Sequence, residues 1–188
     1  HLGAIDMETS EGWPHIERRP TGTTGKKHLF EEIPDQPRKT WKMGVHIMEE
    51  TLKMERTIEG GEIPFVVWSS FLKDEVIKLS KIQKADTRHV TACPVDFTML
   101  VRKYFGAYTS QVYSTYFATD SAVGMNPYSD DWNKMITELS KMSEFGFDGD
   151  YSKFSSRATE VDANDFLEDV ERYYGETSCP HDKAMRQA

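Results

Sequence analysis

The sequence predicts an α/β (α+β) fold. Three observations carry that expectation. Apolar residues recur at helical spacing in several separate stretches. Two short runs, PFVVWSSF (64–71) and TRHVTACP (87–94), are rich in β-branched and aromatic residues and read as strands. The order along the chain is then loops, helix, strands, helix, helix, strand, helix, which fits a mixed protein rather than a pure bundle or sandwich.

Residues 1–38 are rich in Gly, Pro, Thr and charge and read mostly as loop. Residues 39–58 read as a helix, because Trp41, Val45, Met48 and Leu52 fall at helical spacing and Gly60-Gly61 stops the run. Pro94 ends the second strand. A long helix follows from Val95 to about Phe117, with Phe97, Leu100, Val101, Tyr104, Tyr108 and Val112 on its apolar face. GMNPYSDDW (124–132) is a loop running into a helix, with Ser129 as N-cap and Asp130 and Asp131 at the positive end of the helix dipole. Trp132, Met135, Ile136, Leu139 and Met142 form its stripe, and Gly146 closes it. FDGDYSKF then begins a strand-like element. Residues 160–174 read as a final helix with Val161, Leu167 and Val170 inward, and the tail ETSCPHDKAMRQA shows no apolar pattern and is expected to fray.

The 188 residues are enough for one domain or for part of a larger one, and the missing initiator Met makes a fragment the expectation. No apolar run approaches the roughly 20 residues a membrane-spanning helix needs, and no signal peptide is visible at the start. Cys93 and Cys179 lack metal-ligand spacing and read as free thiols in a reducing compartment. The net charge of −8 is unevenly spread. Residues 1–110 carry 16 basic and 16 acidic side chains, whereas residues 111–188 carry 7 and 15. A protein that simply coats phosphate would be basic overall, so that class is disfavoured; a local basic track or a cation-requiring acidic site is compatible with this balance.

Two stretches are candidates for chemistry. The first begins at Lys73-Asp74-Glu75 and continues through Lys78, Lys81, Lys84 and Arg88. Short strands joined by a turn would let Lys73 and Arg88 line one groove suited to a triphosphate, since Arg offers a fork and Lys a point charge. Such charge runs are more often solvated faces. The second is FDGDYSKFSS (147–156), where Asp148 and Asp150 stand one residue apart between aromatics. It reads either as a solvated turn or as a metal site. TGTTGKK (21–27) lacks both the Walker spacing and a strand leading into it, so it does not read as a phosphate loop.

In context these stretches acquire a pattern. SFLKDEVIKLSKIQKADTRHVTACPVDFTMLVRKYFG resembles motif F and the following helix of the RNA-dependent RNA polymerases of picorna-like positive-strand RNA viruses. Lys73, Asp74, Glu75 and Arg88 match that motif, while Asp86 stands where a lysine is expected two places before the arginine. Lys84 is the nearest cation to supply that charge. IDMETSEGWP (5–14) is similar to the family's motif G, a Thr-Ser-Pro-Gly-aromatic-Pro loop: Thr9, Ser10, Gly12, Trp13 and Pro14 agree, and Glu11 replaces the usual proline. SAVGMNPYSDDWNKM (121–135) is similar to the segment just before the palm, although by itself it reads as a helix-capping loop. GDYSKFSS resembles motif A, a strand ending in Asp-(four residues)-Asp. Its first aspartate is Asp150, and the second position is Ser155.

The resemblance implies a partial right-hand polymerase fold: the fingers subdomain plus the first palm strand and its following helix. It divides the chain into a template-guiding loop region (1–38), fingers with motif F (39–120) and the start of the palm with motif A (121–188). The Ser-Gly and Gly-Asp-Asp motifs of the family do not occur after residue 156. Implied roles follow residue by residue. Thr9, Ser10 and Gly12 guide template RNA, and Glu11 is expected to face away from the phosphates. Lys73, Lys81 and Arg88 neutralise the triphosphate, and Ser155 contacts the ribose. Asp150, with Asp148 as an outer ligand, binds Mg²⁺ (or Mn²⁺), a hard cation typically held by one or two carboxylates plus substrate phosphates. The implied partners are RNA template and primer, ribonucleoside triphosphates, the remainder of the polymerase palm and thumb, and other viral replication proteins. The implied place is the host cytoplasm at membrane-associated replication sites. Two other readings stay open: a non-enzymatic RNA-binding or interaction module using the Lys73–Arg88 track and exposed aromatics such as Trp13, and a different metal-dependent nucleotide enzyme built on Asp148 and Asp150.

Overall fold

The computed structural model describes residues 3–119, 121–152, 154, 157–175 and 178–188. It comprises two units, Ala4–Lys103 and Tyr104–Gln187.

In the first unit, two short 3-10 helices (His15–Arg18 and Lys27–Leu29) precede strand β1 (Phe30–Ile33). Strand β2 (Thr40–Met43) pairs with it antiparallel, Phe30 opposite Met43 and Ile33 opposite Thr40. Helix α1 follows at Val45–Glu59. The helix expected over 39–58 is therefore two elements, and Trp41 lies on a strand. Gly44 makes the break. It adopts an extended conformation and passes so close to β1 that a Cβ there would stand 2.7 Å from the Leu29 carbonyl oxygen. Its N–H donates to that same oxygen at 3.0 Å. The buried face of α1 is also shifted: Ile47, Thr51 and Glu55 point inward, while Val45, Met48 and Leu52 are exposed. Burying polar groups here requires partners. Thr51 Oγ1 donates to the Ile47 carbonyl at 2.8 Å, and Glu55 accepts from Lys103 Nζ at 2.6 Å.

Strands β3 (Ser69–Leu72) and β4 (His89–Ala92) form a second antiparallel pair, Ser69 opposite Ala92 and Leu72 opposite His89. The strand expected over 64–71 is thus shorter at its start. Residues 64–68 have no partner strand among the described residues, and Phe65 is 87% exposed. The β3–β4 connection carries a one-turn helix α2 (Leu79–Gln83). Helix α3 (Val95–Ser114) then begins, with Val95 joining Leu29 and Ile47 in a small core against which Phe30, Met43 and Met99 pack.

Among the described residues, the second unit contains the rest of α3 and three further α-helices: α4 (Asp131–Met142), α5 (Glu160–Tyr174) and α6 (Pro180–Gln187). The loop before α4 presses Gly124 (φ +102°) onto the α3 backbone, where a Cβ would stand 2.4 Å from the Tyr113 carbonyl oxygen. Asp131 at the start of α4 accepts from the Tyr116 hydroxyl at 2.8 Å and from the Asn126 N–H at 3.1 Å. The N-cap of α4 is Asp130, without a side-chain cap hydrogen bond, and not the expected Ser129, which accepts from the Asp131 N–H at 3.2 Å. The helix ends at Met142, with Ser143 as its C-cap, before the expected stop at Gly146. The α4 stripe is largely exposed, Met142 by 85%. A groove of about 550 Å³ runs beside it, lined by Phe117, Met125, Met135 and Leu139 among others.

Helix α5 opens on a reciprocal capping box between Thr159 and Asp162. Only Val170 of its expected inward residues is fully buried, and Val161 is exposed. Phe166 instead stacks on Phe105 of α3, and Tyr174 donates to the Tyr104 carbonyl at 2.9 Å. The tail does not fray as its composition suggested. Arg186 of α6 lies over the Tyr174 ring at 4.0 Å and donates to Glu171 (2.8 Å) and Ser178 (2.8 Å). Among the described residues no helix is long and apolar enough to cross a membrane, and Cys93 and Cys179 are both free thiols.

Candidate nucleic-acid and nucleotide site

The loop at 9–14 is built from below. Its N-terminal arm runs beside the 21–27 segment, where the Lys26 N–H donates to the Met7 carbonyl at 2.9 Å. Lys26 is buried and reaches up to donate to Thr9 Oγ1 at 2.7 Å. Burial pushes the Lys26 ammonium below its usual range, against the pull of Asp6 and Glu11. Thr9 itself is exposed and donates to the Asp6 carbonyl at 3.0 Å. Ser10 is half-buried, and its hydroxyl accepts from the Gly12 N–H at 3.2 Å. Gly12 is buried at φ +74°, with its Cα against the Cys93 carbonyl. Of the three residues expected to touch a strand, Thr9 and Ser10 offer hydroxyls, while Gly12 serves the close packing of the loop.

Glu11 faces inward, as expected from its charge. It is fully buried (0% exposed) and receives both Nε and Nη2 of Arg19, the former at 2.7 Å. His28 Nε2 lies 3.8 Å from the same carboxylate. Burial alone would raise the Glu11 carboxyl, but the Arg19 hydrogen bonds and charge, with help from His28, hold it below its usual range. The Glu11 carbonyl accepts from the Val95 N–H at 2.9 Å, tying the loop to the start of α3. Next to that tie, buried Asp96 lies 3.3 Å from buried His15. Burial pushes the Asp96 carboxyl up, and His15 and the Phe97 N–H outweigh it, for a net lowering. Sequence reasoning missed Arg19, Lys26, His15 and Asp96. The composition gave no cue beyond charge near the motif, because the Glu11–Arg19 pair needs the intervening 3-10 turn to bring residues eight apart together.

The β3–β4 hairpin brings two of the candidate cations together. Lys73 and Arg88, fifteen residues apart, meet where the ladder ends: the Lys73 N–H donates to the Arg88 carbonyl at 2.8 Å. Both side chains converge on one carboxylate, Glu75 Oε2, Lys73 at 3.1 Å and Arg88 at 3.3 Å. Both cations remain substantially exposed. Lys81 is exposed on α2, and Lys84 and Asp86 are exposed in the turn after it.

Asp148 and Asp150 are placed differently from expectation. They lie in exposed irregular backbone, not on a strand. An extended segment holds as a strand only when its N–H and C=O groups find a neighbour, and none of the described strands pairs with 147–152. Ser155 lies outside the described residues. Among the described residues no group of three or more His, Cys, Asp or Glu side chains is placed to hold a metal ion. The chemistry of the donor pair nevertheless fits a hard divalent cation, since two acceptor-only carboxylates suffice when substrate phosphates complete the shell.

With this geometry established, comparison with known proteins decides the family. A model of the viral RNA-dependent RNA polymerase family matches residues 1–161. The chain belongs to the viral RNA-dependent RNA polymerases. Among relatives, it is 35% identical over 176 residues to the genome polyprotein of Rice tungro spherical virus (strain A), covering 92% of this chain and 5% of that polyprotein. It is 32% identical over 160 residues to the RNA1 polyprotein of Tomato ringspot virus (isolate raspberry), covering 82% of this chain and 7% of that one. Among solved structures, the Sicinivirus 3Dpol RNA-dependent RNA polymerase matches with a TM-score of 0.73 at 24% identity, over 98% of this chain and 36% of that chain. The polymerase family member described here therefore has a partial right-hand polymerase fold, and it spans only a small part of the polyproteins it resembles.

Proposed function

We propose that this chain is the fingers region and the start of the palm of an RNA-directed RNA polymerase that copies viral RNA from ribonucleoside triphosphates. In this reading a 3′-hydroxyl oxygen bonds to the α-phosphorus of the incoming nucleotide and pyrophosphate leaves. The observation that carries the reading is the convergence of Lys73 and Arg88 at the end of the β3–β4 ladder. Two cations spaced this way can meet a triphosphate, with Glu75 holding them in place until the phosphates compete for them. Lys81 adds charge from α2. Thr9 and Ser10 present hydroxyls suited to phosphate contacts that position a strand without reading bases.

Asp150, with Asp148 beside it, would hold Mg²⁺ or Mn²⁺. Such an ion, when bound, supplies charge neutralisation at the phosphates and a more acidic hydroxyl. Ser155 would hydrogen-bond the ribose. The remaining palm and thumb would supply further carboxylates and cover the exposed α4 stripe, so the chain alone is expected to be inactive. RNA template and primer, and other viral replication proteins, would be its partners, in host cytoplasm at membrane-associated sites.

The test is made in a polymerase that contains this segment. Arg88→Ala should raise the nucleotide KM about tenfold or more, the scale of a charge-assisted hydrogen bond, with little change in melting temperature. Asp150→Ala should abolish Mg²⁺-dependent synthesis. An unchanged KM removes the triphosphate role, and full activity in the second variant removes the metal role.

A further inference from the structure

We propose that the buried Glu11–Arg19 pair is a positioning device for the template-guiding loop, so that Glu11 acts on RNA through Thr9 and Ser10 without touching it. The inference rests on the reading of loop 9–14 given above and deepens it.

A fully buried carboxylate is costly unless it is paired and hydrogen-bonded. Here the cost is met by a fork from Arg19 onto both carboxylate oxygens, an arrangement that fixes direction as well as distance. The pair is not spread along one element. Glu11 sits between Ser10 and Gly12, and Arg19 sits just past the 3-10 helix His15–Arg18. The guanidinium therefore clamps the loop to the turn that follows it. Three other contacts close the same frame. The Ile16 N–H donates to the Gly12 carbonyl at 2.9 Å, the Val95 N–H donates to the Glu11 carbonyl at 2.9 Å, and Gly12 packs on the Cys93 carbonyl.

The consequence falls on the two hydroxyl residues immediately before Glu11. Thr9 is held from the other side by Lys26 Nζ at 2.7 Å, and Ser10 is held by the Gly12 N–H. Thr9 is exposed and Ser10 half-buried, whereas Glu11, next along the loop, is fully buried. Because the peptide units are continuous, a rotation of Glu11 away from Arg19 displaces Ser10 and tilts Thr9 off Lys26. Positioning groups need support of this kind to stay within useful geometry. A buried pair that only added stability would be a weak choice, since an apolar pair of similar volume is often as stable. A directional role for the fork explains why the charge is kept under this loop.

The experiment uses a polymerase chain containing this segment, with four variants: Glu11→Gln, Arg19→Gln, both together, and Thr9→Ala/Ser10→Ala. The half-life of a stalled complex with template and primer RNA is measured beside the nucleotide KM and the melting temperature without RNA. Glu11→Gln should shorten the half-life about tenfold while changing the nucleotide KM less than about twofold. Glu11→Gln removes the buried charge and leaves Arg19, 26% exposed, within reach of water, so it keeps the fold even where Arg19→Gln, which strands the Glu11 carboxylate, does not. Where it folds, Arg19→Gln should give the same loss, and the double variant should be no worse than either single one. A lowered melting temperature with an unchanged half-life overturns the positioning role. Loss of RNA complex in Thr9→Ala/Ser10→Ala but not in Glu11→Gln or Arg19→Gln overturns it while leaving the template loop intact. No loss in any variant overturns both.

Discussion

Replacing Gly12 by alanine separates two costs that a glycine can hide. At φ +74° an L-residue is strained, by roughly 1–2 kcal/mol. At Gly12 the added methyl would also stand 2.6 Å from the Cys93 oxygen, 2.7 Å from its carbonyl carbon and 2.7 Å from the Pro94 nitrogen. All three are backbone atoms and cannot swing aside as a side chain end would. Relieving the clash must lift the loop from the start of α3, where the Val95–Glu11 hydrogen bond sits. Overpacking of this type costs about 1–3 kcal/mol, so Gly12→Ala should destabilise by about 2–5 kcal/mol in all. Gly22 is the internal control. Its φ is +83°, yet nothing lies within 4 Å of an added Cβ. Gly22→Ala should therefore show the conformational cost alone. Urea unfolding at constant m-value measures both. If the two variants fall within about 0.5 kcal/mol of each other, the close approach of loop and helix is refuted.

Acid should act through the same loop. Glu11 and Asp96 are both held below their ordinary range, so their contribution is complete above the unfolded value of about 4 and is lost as pH falls through the lower folded values. The stability gap between the native chain and Glu11→Gln should shrink as pH drops below about 4, and a gap constant across that window would remove the ionised pair. In the second unit, Thr159→Ala deletes one half of the α5 capping box and should cost about 1 kcal/mol, read as faster hydrogen exchange in the first turn of α5. Unaltered exchange there would show that Phe166 and Tyr174, not the cap, hold the helix.

The elements that the sequence disclosed well are those whose pattern is local. Helix α3 carries its apolar spacing over about five turns, α4 shows an apolar stripe behind an acidic first turn, and α5 shows apolar spacing. The β3–β4 hairpin was legible because both of its runs are rich in β-branched and aromatic residues, whereas its charge run by itself reads more often as a solvated face and drew its meaning from the family resemblance. What escaped depended on contacts distant in sequence. Trp41 has helical spacing in the sequence, but Gly44, pressed against the Leu29 carbonyl, separates it from α1 and leaves it on a strand. The inward face of α1 was misjudged because Thr51 and Glu55 are buried, and their partners, Asp96 and Lys103, lie more than forty residues away. Residues 30–33 look polar, and only their pairing with 40–43 makes them a strand.

The residues around Asp150 are irregular, although the family resemblance places a strand at that point, because no described strand pairs with them. Strand propensity describes how well side chains fit a pleated, half-buried surface, and it is not an intrinsic demand of the backbone. Phe147 and Tyr151 supply suitable side chains, yet both are exposed and no described strand lies alongside them. A segment so placed gains nothing by adopting one extended conformation, and ordering each residue costs roughly 1–2 kcal/mol. Asp148 and Asp150 thus carry the right oxygen donors without the rigid backing that would aim them. In the proposed polymerase, neighbouring strands would supply that backing, because a ladder bond on each side satisfies the backbone and locks the alternation that points both aspartates to one face. In that proposal the metal role would belong to the assembled palm, whereas Lys73 and Arg88 are already held by a hairpin that closes on itself.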